Sequence, residues 1–335
     1  MQTKLPKIVV ITLGGTIASV PNDDGQGAVP KLSATDLLAS VSNVGDLATL
    51  STISFRQYPS GDLSIGDMIE LSEVIEELAG NGAEGVVITQ GTDTLEETAF
   101  LMDILLNVDI PVILTGAMRN AGQAGADGPA NFLGAIRVAC SPDARGLGPL
   151  VFFSDEIHLA RFVRKVHSSS LSAFASPNAG PIGWVNEGRV RIPLVPRHRT
   201  PPVVLGDRPA STKPQVALIR VGLGMDSRQV DSAIQDGFDG LVIDSFGGGH
   251  VPQQMMPSLI TAAREIPVVF ATRTGAGEVY ESTYGFPGSE RDLLEHGLIS
   301  AGVLDGAKSR LLLTLLLACG SSPGAIAQRF YQTVQ

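Results

Sequence analysis

The 335-residue chain is poor in cysteine, histidine and aromatic side chains: two Cys, five His and 5% Phe, Trp and Tyr together. Cys140 and Cys319 each sit in an apolar helical pattern and neither belongs to a CxxC pair. They read as reduced core thiols, not as a disulfide or a metal site. His158, His167, His198, His250 and His296 show no HxxxH or HExxH spacing, so a protein-bound metal has no support. Positive charge is also scarce, with 24 Lys+Arg against 34 Asp+Glu and a net charge of −10. No basic run is interleaved with aromatics, which argues against a nucleic-acid partner. A small anion could still be held locally, because local sites do not follow net charge. Long apolar runs are missing too. "LLLTLLLAC" (311–319) is too short to span a bilayer and reads as a buried helix. The start, "MQTKLPKIVVI", runs into a strand without the apolar core and cleavage site of a signal peptide. A cytoplasmic protein without a membrane partner is expected. Solenoid repeats and low-complexity tracts are absent.

What the chain does contain is alternation. Apolar residues make up 44% and charged residues 17%, a globular balance, and the length suits two domains. Strands are predicted at Ile8–Thr12, Thr52–Tyr58, Gly85–Thr89, Pro111–Thr115 and Pro149–Phe153, with helical patterns between them. Ser33 is an N-cap candidate. Ser64, followed three residues later by Asp67, predicts a capping box. Such alternation builds a parallel sheet covered by helices on both faces. Residues 188–214 hold six prolines and no helical period, as an interdomain connection would. The predicted organisation is a catalytic α/β domain over residues 1–190, a linker over 191–213 and a smaller α/β domain over 214–335.

Two strand ends draw attention. "LGGTIAS" (13–19) follows "KIVVIT", and "QGTDTLEET" (90–98) follows "GVVIT". Ligands of open parallel sheets bind beyond the C-terminal strand ends. There Gly14, Gly15 and Gly91 allow sharp turns and close backbone approach. Thr16 and Thr92 present hydroxyls, Asp93 follows, and Thr94 is placed to cap the next helix. A hydroxyl becomes a nucleophile only when a base takes its proton. A buried, neutral lysine can be that base, and Lys165, just beyond the strand "PLVFFS", is a candidate. A Thr–Lys–Asp set would then do the work of a Ser–His–Asp triad. The bland alternative is that GGT and GTDT are turns with helix caps and Lys165 is solvated.

"GGTIAS", "QGTDTLEETA", "PVILTGAMR", "ADGPANFLGAIRVA" and "GPIGW", in that order, resemble the bacterial-type L-asparaginase/glutaminase family. The likeness runs through "TRTGAG" to the last helices. It implies a larger N-terminal domain with a flavodoxin-like parallel sheet and a smaller C-terminal α/β domain. It further implies hydrolysis of a side-chain amide through a threonine acyl-enzyme, with neither metal nor organic cofactor. Homodimers or homotetramers are implied, with active sites where subunits meet. By resemblance, Thr92, Asp93 and Lys165 match the family's second catalytic threonine, its aspartate and the lysine completing that triad, and Thr16 matches the second threonine of TGGT. Ser60 matches the serine that holds the substrate carboxylate, aided by the N–H groups around Gly91–Asp93. Asp93 would take the substrate ammonium, and the backbone near Thr92 and Ala117 would form an oxyanion site. A glutamate that touches the ammonium is sought among Glu278, Glu281 and Glu290, with Glu290 preferred.

The chain departs from the family around one pocket. Leu13 stands where the acyl-accepting threonine of TGGT belongs, and Thr12 points to the other face of its strand. The loop "VPNDDGQGAVPKLS" (20–33) lacks the family's tyrosine. Gly61 replaces a glutamine, and "SFGGGH" (245–250) holds glycines and His250 where an asparagine is expected. Three readings stay open: Thr92–Lys165–Asp93 supplies the nucleophile; Thr16 attacks with a differently closing loop; or the site binds without turnover or takes another amide. An active amidohydrolase is favoured because Thr92, Asp93 and Lys165 are retained together, and the glycines suggest room for an amide bulkier than asparagine. An archaeal-type Glu-tRNA amidotransferase subunit should have an extra N-terminal module and a more basic surface. A lysophospholipase-like relative should carry ankyrin repeats. An amino-acid-binding sensor on the same scaffold is the non-enzymatic alternative.

Overall fold

The computed structural model describes residues 4–21, 28–30, 34–39, 41, 44–205 and 214–334. They divide into two compact units, Met1–Pro202 and Val203–Gln335.

The first unit is built on β1 (Lys7–Thr12), whose β-branched run "KIVVIT" is buried from its second residue onward. A strand buried on both faces needs no polar alternation and belongs in the middle of a parallel sheet. A short hairpin follows, β2 (Ser19–Pro21) with β3 (Ala28–Pro30), then helix α1 (Ala34–Ala39) and strand β4 (Thr49–Ser54). Next come α2 (Ile65–Gly80), β5 (Gly85–Thr89), α3 (Leu95–Leu105), β6 (Val112–Thr115), α4 (Gly128–Ala139) and β7 (Pro149–Phe153). The five strands β4, β1, β5, β6 and β7 lie side by side in that order and all parallel. Taken in chain order this is the 2-1-3-4-5 arrangement of flavodoxin-like sheets, with its switch point between β1 and β5. Ile8, Val10, Val87, Ile113 and Phe152 share one cluster with Phe132 and Ile136 of α4. Strand alternation turns Val9, Val86 and Val112 to the opposite face.

Sequence and structure differ in detail. The strand expected at Thr52–Tyr58 runs from Thr49 to Ser54 instead, because Arg56, inside the expected stretch, turns to Asp67 and Glu70 of α2 at 2.7 and 2.6 Å. Ser64 and Asp67 form the expected capping box, worth about 1 kcal/mol. Ser33, and residues 22–27 and 31–33 of the loop lacking tyrosine, lie outside the described residues. Periodicity did not reveal the antiparallel extension of the sheet. There β8 (Glu156–Leu159) pairs with β7, and a two-stranded ribbon of β9 (Arg164–Lys165) and β10 (Phe174–Ala175) follows. Then β11 (Gly183–Asn186) pairs with β8, and β12 (Arg189–Arg191) pairs with β11.

The second unit holds a parallel sheet of β13 (Val216–Arg220), β14 (Gly240–Ser245), β15 (Val268–Thr272) and β16 (Ile299–Ser300), in that order. Its helices are α5 (Arg228–Gln235), α6 (Met256–Glu265), α7 (Glu290–Glu295), α8 (Gly306–Ala318) and α9 (Pro323–Val334). The apolar run 311–319 falls in α8 and its C-cap, with Leu311–Leu316 buried against the sheet. Among the described residues no helix is long and apolar enough to cross a membrane.

One buried polar pair ties β8 to the end of β10. His158 is fully buried, and its Nδ1 lies 3.0 Å from Ser176 Oγ. Burial pushes the imidazole down to about 4, against an ordinary value near 6.5. The unfolded chain therefore takes up a proton at a pH where the folded one does not. The stability contribution is complete above about pH 6.5 and lost as pH falls towards 4, by roughly 3 kcal/mol at most. We expect His158→Gln to flatten the decline of stability between those pH values, as measured by urea denaturation at a series of pH values.

Candidate active site

β1 and β5 are paired in register, Thr12 opposite Thr89, so both end on the same rung. Their loops leave the sheet side by side at the switch point. Gly15 (φ 87°) is the consequence: a Cβ there would run into the Gly91 backbone. A Cβ on Gly91 would in turn lie 2.8 Å from Ser60 Oγ. The loops after β1, β4 and β5 are thus packed backbone to backbone, with the Ser60 hydroxyl beside Gly91. Thr94 occupies the N-cap position of α3, but its side chain does not cap that helix. Instead its hydroxyl donates to the Ser60 carbonyl at 2.8 Å and accepts from Gln90 Nε2 at 3.0 Å. This corrects the capping role expected for Thr94: its proton is directed to the Ser60 carbonyl, and Gln90 Nε2 donates to the oxygen that would otherwise accept from the helix N–H groups.

Thr92 is buried, with 6% of its surface exposed. Lys165 Nζ donates to Thr92 Oγ1 at 2.8 Å and to Asp93 Oδ1 at 2.6 Å. The amine thus joins a buried hydroxyl to a carboxylate that is 79% exposed. The lysine arrives from β9, outside the parallel strands. Its backbone N–H donates to Glu96 Oε2, in the first turn of α3. Gly116 packs against the Thr92 methyl, where a Cβ would come within 3.2 Å of it, and Ala117 follows, buried. That loop is held by residues the sequence did not single out. Asp127 accepts from the N–H groups of Met118 (3.0 Å) and Arg119 (2.8 Å). Asn131 donates to the Gly116 carbonyl at 3.0 Å, while its Oδ1 accepts from Ser154 N–H at 3.1 Å. In the sequence these polar residues are hidden in an apolar helical pattern.

Leu13 is fully buried, its N–H donating to the Thr89 carbonyl at 2.9 Å. Thr16 opens a 3-10 turn directly after Gly15 and is half-buried. Gly61 is exposed, with open space where a Cβ would project. Among the described residues no group of His, Cys, Asp and Glu is placed to hold a metal ion. Neither cysteine is in a disulfide and both are half-buried, and burial pushes the Cys140 thiol up to about 11.

In the second unit Glu290 is fully buried at the start of α7. Its carboxylate accepts from Thr283 N–H (2.7 Å), Tyr284 N–H (2.6 Å) and His250 Nε2 (3.1 Å). Burial opposes the charge, but the Tyr284, Glu290 and Thr283 N–H groups and His250 outweigh it and hold the carboxyl below its usual range. Glu278 and Glu281 are exposed. Gly248 has a packing reason of its own, since the Tyr280 ring lies where a Cβ would be.

Residues 7–196 match the N-terminal asparaginase domain, and residues 215–330 match the C-terminal glutaminase/asparaginase domain. The chain belongs to the asparaginase family. It is an asparaginase-type amidohydrolase. A probable L-asparaginase of Deinococcus radiodurans is 39% identical over 334 residues, spanning the whole of both chains. The L-asparaginase of Bacillus licheniformis is 34% identical over 93% of this chain and 95% of its own. A probable cytoplasmic L-asparaginase from Campylobacter jejuni superposes with a TM-score of 0.86 at 30% identity, covering 97% of this chain and 99% of that one.

Within this asparaginase fold the glycine contact at the switch point is open to a direct check. Gly15→Ala places a side chain against Gly91 at positive φ, and we expect a loss of at least about 2 kcal/mol. Gly61→Ala adds a methyl group to open space and should stay within about 0.5 kcal/mol of the parent. Urea denaturation of the two variants gives both values.

Proposed function

We propose that the chain hydrolyses the side-chain amide of L-asparagine, or a bulkier amide of the same class, through an ester formed on Thr92. The supporting observation is the 2.8 Å contact between Lys165 Nζ and Thr92 Oγ1. In this reading Thr92 Oγ1 attacks the amide carbon while its proton passes along that contact to the Lys165 amine. The oxyanion is met by backbone groups near Thr92 and Ala117. The C–N bond breaks, the leaving nitrogen takes a proton, and ammonia or an amine departs. Water then attacks the ester, releasing the carboxylate and restoring the hydroxyl. The substrate carboxylate would lie at the N-terminus of α3, against Ser60 Oγ and the N–H groups of Gly91–Asp93, and its ammonium against the exposed Asp93 carboxylate. Thr16, which follows the Gly15 that packs on Gly91, assists without being the attacking group. Glu290 remains a proposed ammonium contact, conditional on its releasing the bonds it makes within its own unit.

Buried Leu13 removes the hydroxyl that the family places first, which favours Thr92 over the TGGT position. Open space at Gly61 favours the bulkier amide. A homodimer or homotetramer in the cytoplasm, acting on a small amide and not on nucleic acid or a membrane, completes the reading. Sedimentation velocity tests the assembly.

Ammonia or amine release from asparagine, glutamine and a panel of N-substituted amides should show turnover. Thr92→Ala should lower kcat by about 10³-fold or more, with Thr16→Ala milder. Full activity in Thr92→Ala would remove it as nucleophile. An unmodified protein that binds these amides and turns over none would support the sensor.

A further inference from the structure

We propose that Glu96 is the positioning residue of this site. Its carboxylate holds the backbone of Lys165 and so sets the distance between the amine and Thr92. The proposal rests on the reading that Lys165 serves Thr92 as base.

The chain reaches Lys165 from buried Val163, whose N–H donates to the Leu159 carbonyl at 3.1 Å, but Lys165 itself lies two residues further on. Its strand, β9, has two residues, and so does its partner β10; a ribbon of that size is marginal by itself. Beyond one further rung, Val166 N–H to the Ala173 carbonyl at 2.7 Å, the chain runs out through exposed residues 166–169. The far strand is anchored from outside. The Phe174 ring lies 4.7 Å from that of Phe153, and Ser176 bonds to His158. On the lysine's own strand α3 adds a tie: Lys165 N–H donates to Glu96 Oε2.

The helix that supplies this carboxylate also begins just after Thr92 and Asp93. One side chain therefore fastens the element bearing the hydroxyl to the element bearing the amine. A hydrogen bond to a carboxylate is stronger than one between neutral groups. A carboxylate in the first turn is favoured by the helix dipole. A lysine side chain has four flexible methylenes, so its tip is reproducibly placed only when the backbone beneath it is held. A displacement of about 1 Å would take the 2.8 Å contact outside hydrogen-bonding distance.

Reach and charge can be separated on the full-length protein. Glu96→Gln keeps the length and an acceptor oxygen but loses the charge. Glu96→Asp keeps the charge but is one methylene too short. We expect Glu96→Asp and Glu96→Ala to lower kcat by about 100-fold with KM changed less than about threefold, and Glu96→Gln to stay within about threefold of the parent kcat. Crystal structures should show the Lys165–Thr92 contact kept in Glu96→Gln and lengthened beyond about 3.5 Å in Glu96→Asp. An unchanged contact in Glu96→Asp overturns the proposal. So does a kcat within twofold of the parent for Glu96→Asp, or a Glu96→Gln variant as impaired as Glu96→Asp. If the parent hydrolyses none of the amides, the hydrolytic reading fails, and the crystallographic distance alone decides the role of Glu96. If Glu96→Ala does not fold, the Asp and Gln variants carry the comparison.

Discussion

The register of β1 against β5 is the constraint on which the site depends. Because Thr12 lies opposite Thr89, two adjacent parallel strands stop at one level and send their loops over the same edge. In a 2-1-3-4-5 sheet the chain leaves these strands in opposite directions, and the space between them is the natural ligand crevice. Two loops in so narrow a gap cannot both carry side chains. Gly15 against Gly91 is the result, with Ser60 closing the third side. The glycines are therefore a product of the register, and the loops that carry Thr16 and Thr92 meet at Gly15 and Gly91, with the Ser60 side chain beside Gly91.

The charged part of the site has a different origin. Lys165 comes from a short ribbon appended to the sheet, and reaches Thr92 and Asp93 across 73 and 72 residues of sequence. Carboxylates and carboxamides hold the surrounding backbone in place. Glu96 takes the lysine's N–H, Asp127 takes two N–H groups of the loop beside Ala117, and Asn131 links that loop to the end of β7. Each of these polar groups binds backbone, so its effect is to reduce loop freedom at the crevice. Glu290 and His250 do the same for residues 283–284 in the second unit.

Much of the first unit was legible in advance. A β-branched run marked the strand Gly85–Thr89 and an apolar, aromatic-rich run marked Pro149–Phe153, both to the residue, because a strand buried on both faces has no competing pattern. Ser64 and Asp67 announced a helix start through chemistry confined to four residues. The β4 stretch was misplaced because an edge strand mixes exposed and half-buried residues. The ribbon of β9 and β10 was not foreseen, since two-residue strands have no period to read. Thr94 was given a cap because local spacing cannot reveal a carbonyl brought in from residue 60.

Local chemistry in the chain determined the buried parallel strands β1, β5, β6 and β7, the punctuation by glycine, and the motifs that mark an amidohydrolase of this family. These depend on neighbours in sequence, and a single sequence contains them in full. Tertiary structure alone decided that the amine from β9 meets the hydroxyl after β5, that Glu96 grips the lysine's backbone, and that Glu290 turns inward to His250. Those contacts join segments whose separation is bridged only when parallel strands align and their helices pack. Distance along the chain says nothing about them, because closing a loop of some seventy residues costs little more than closing one half as long.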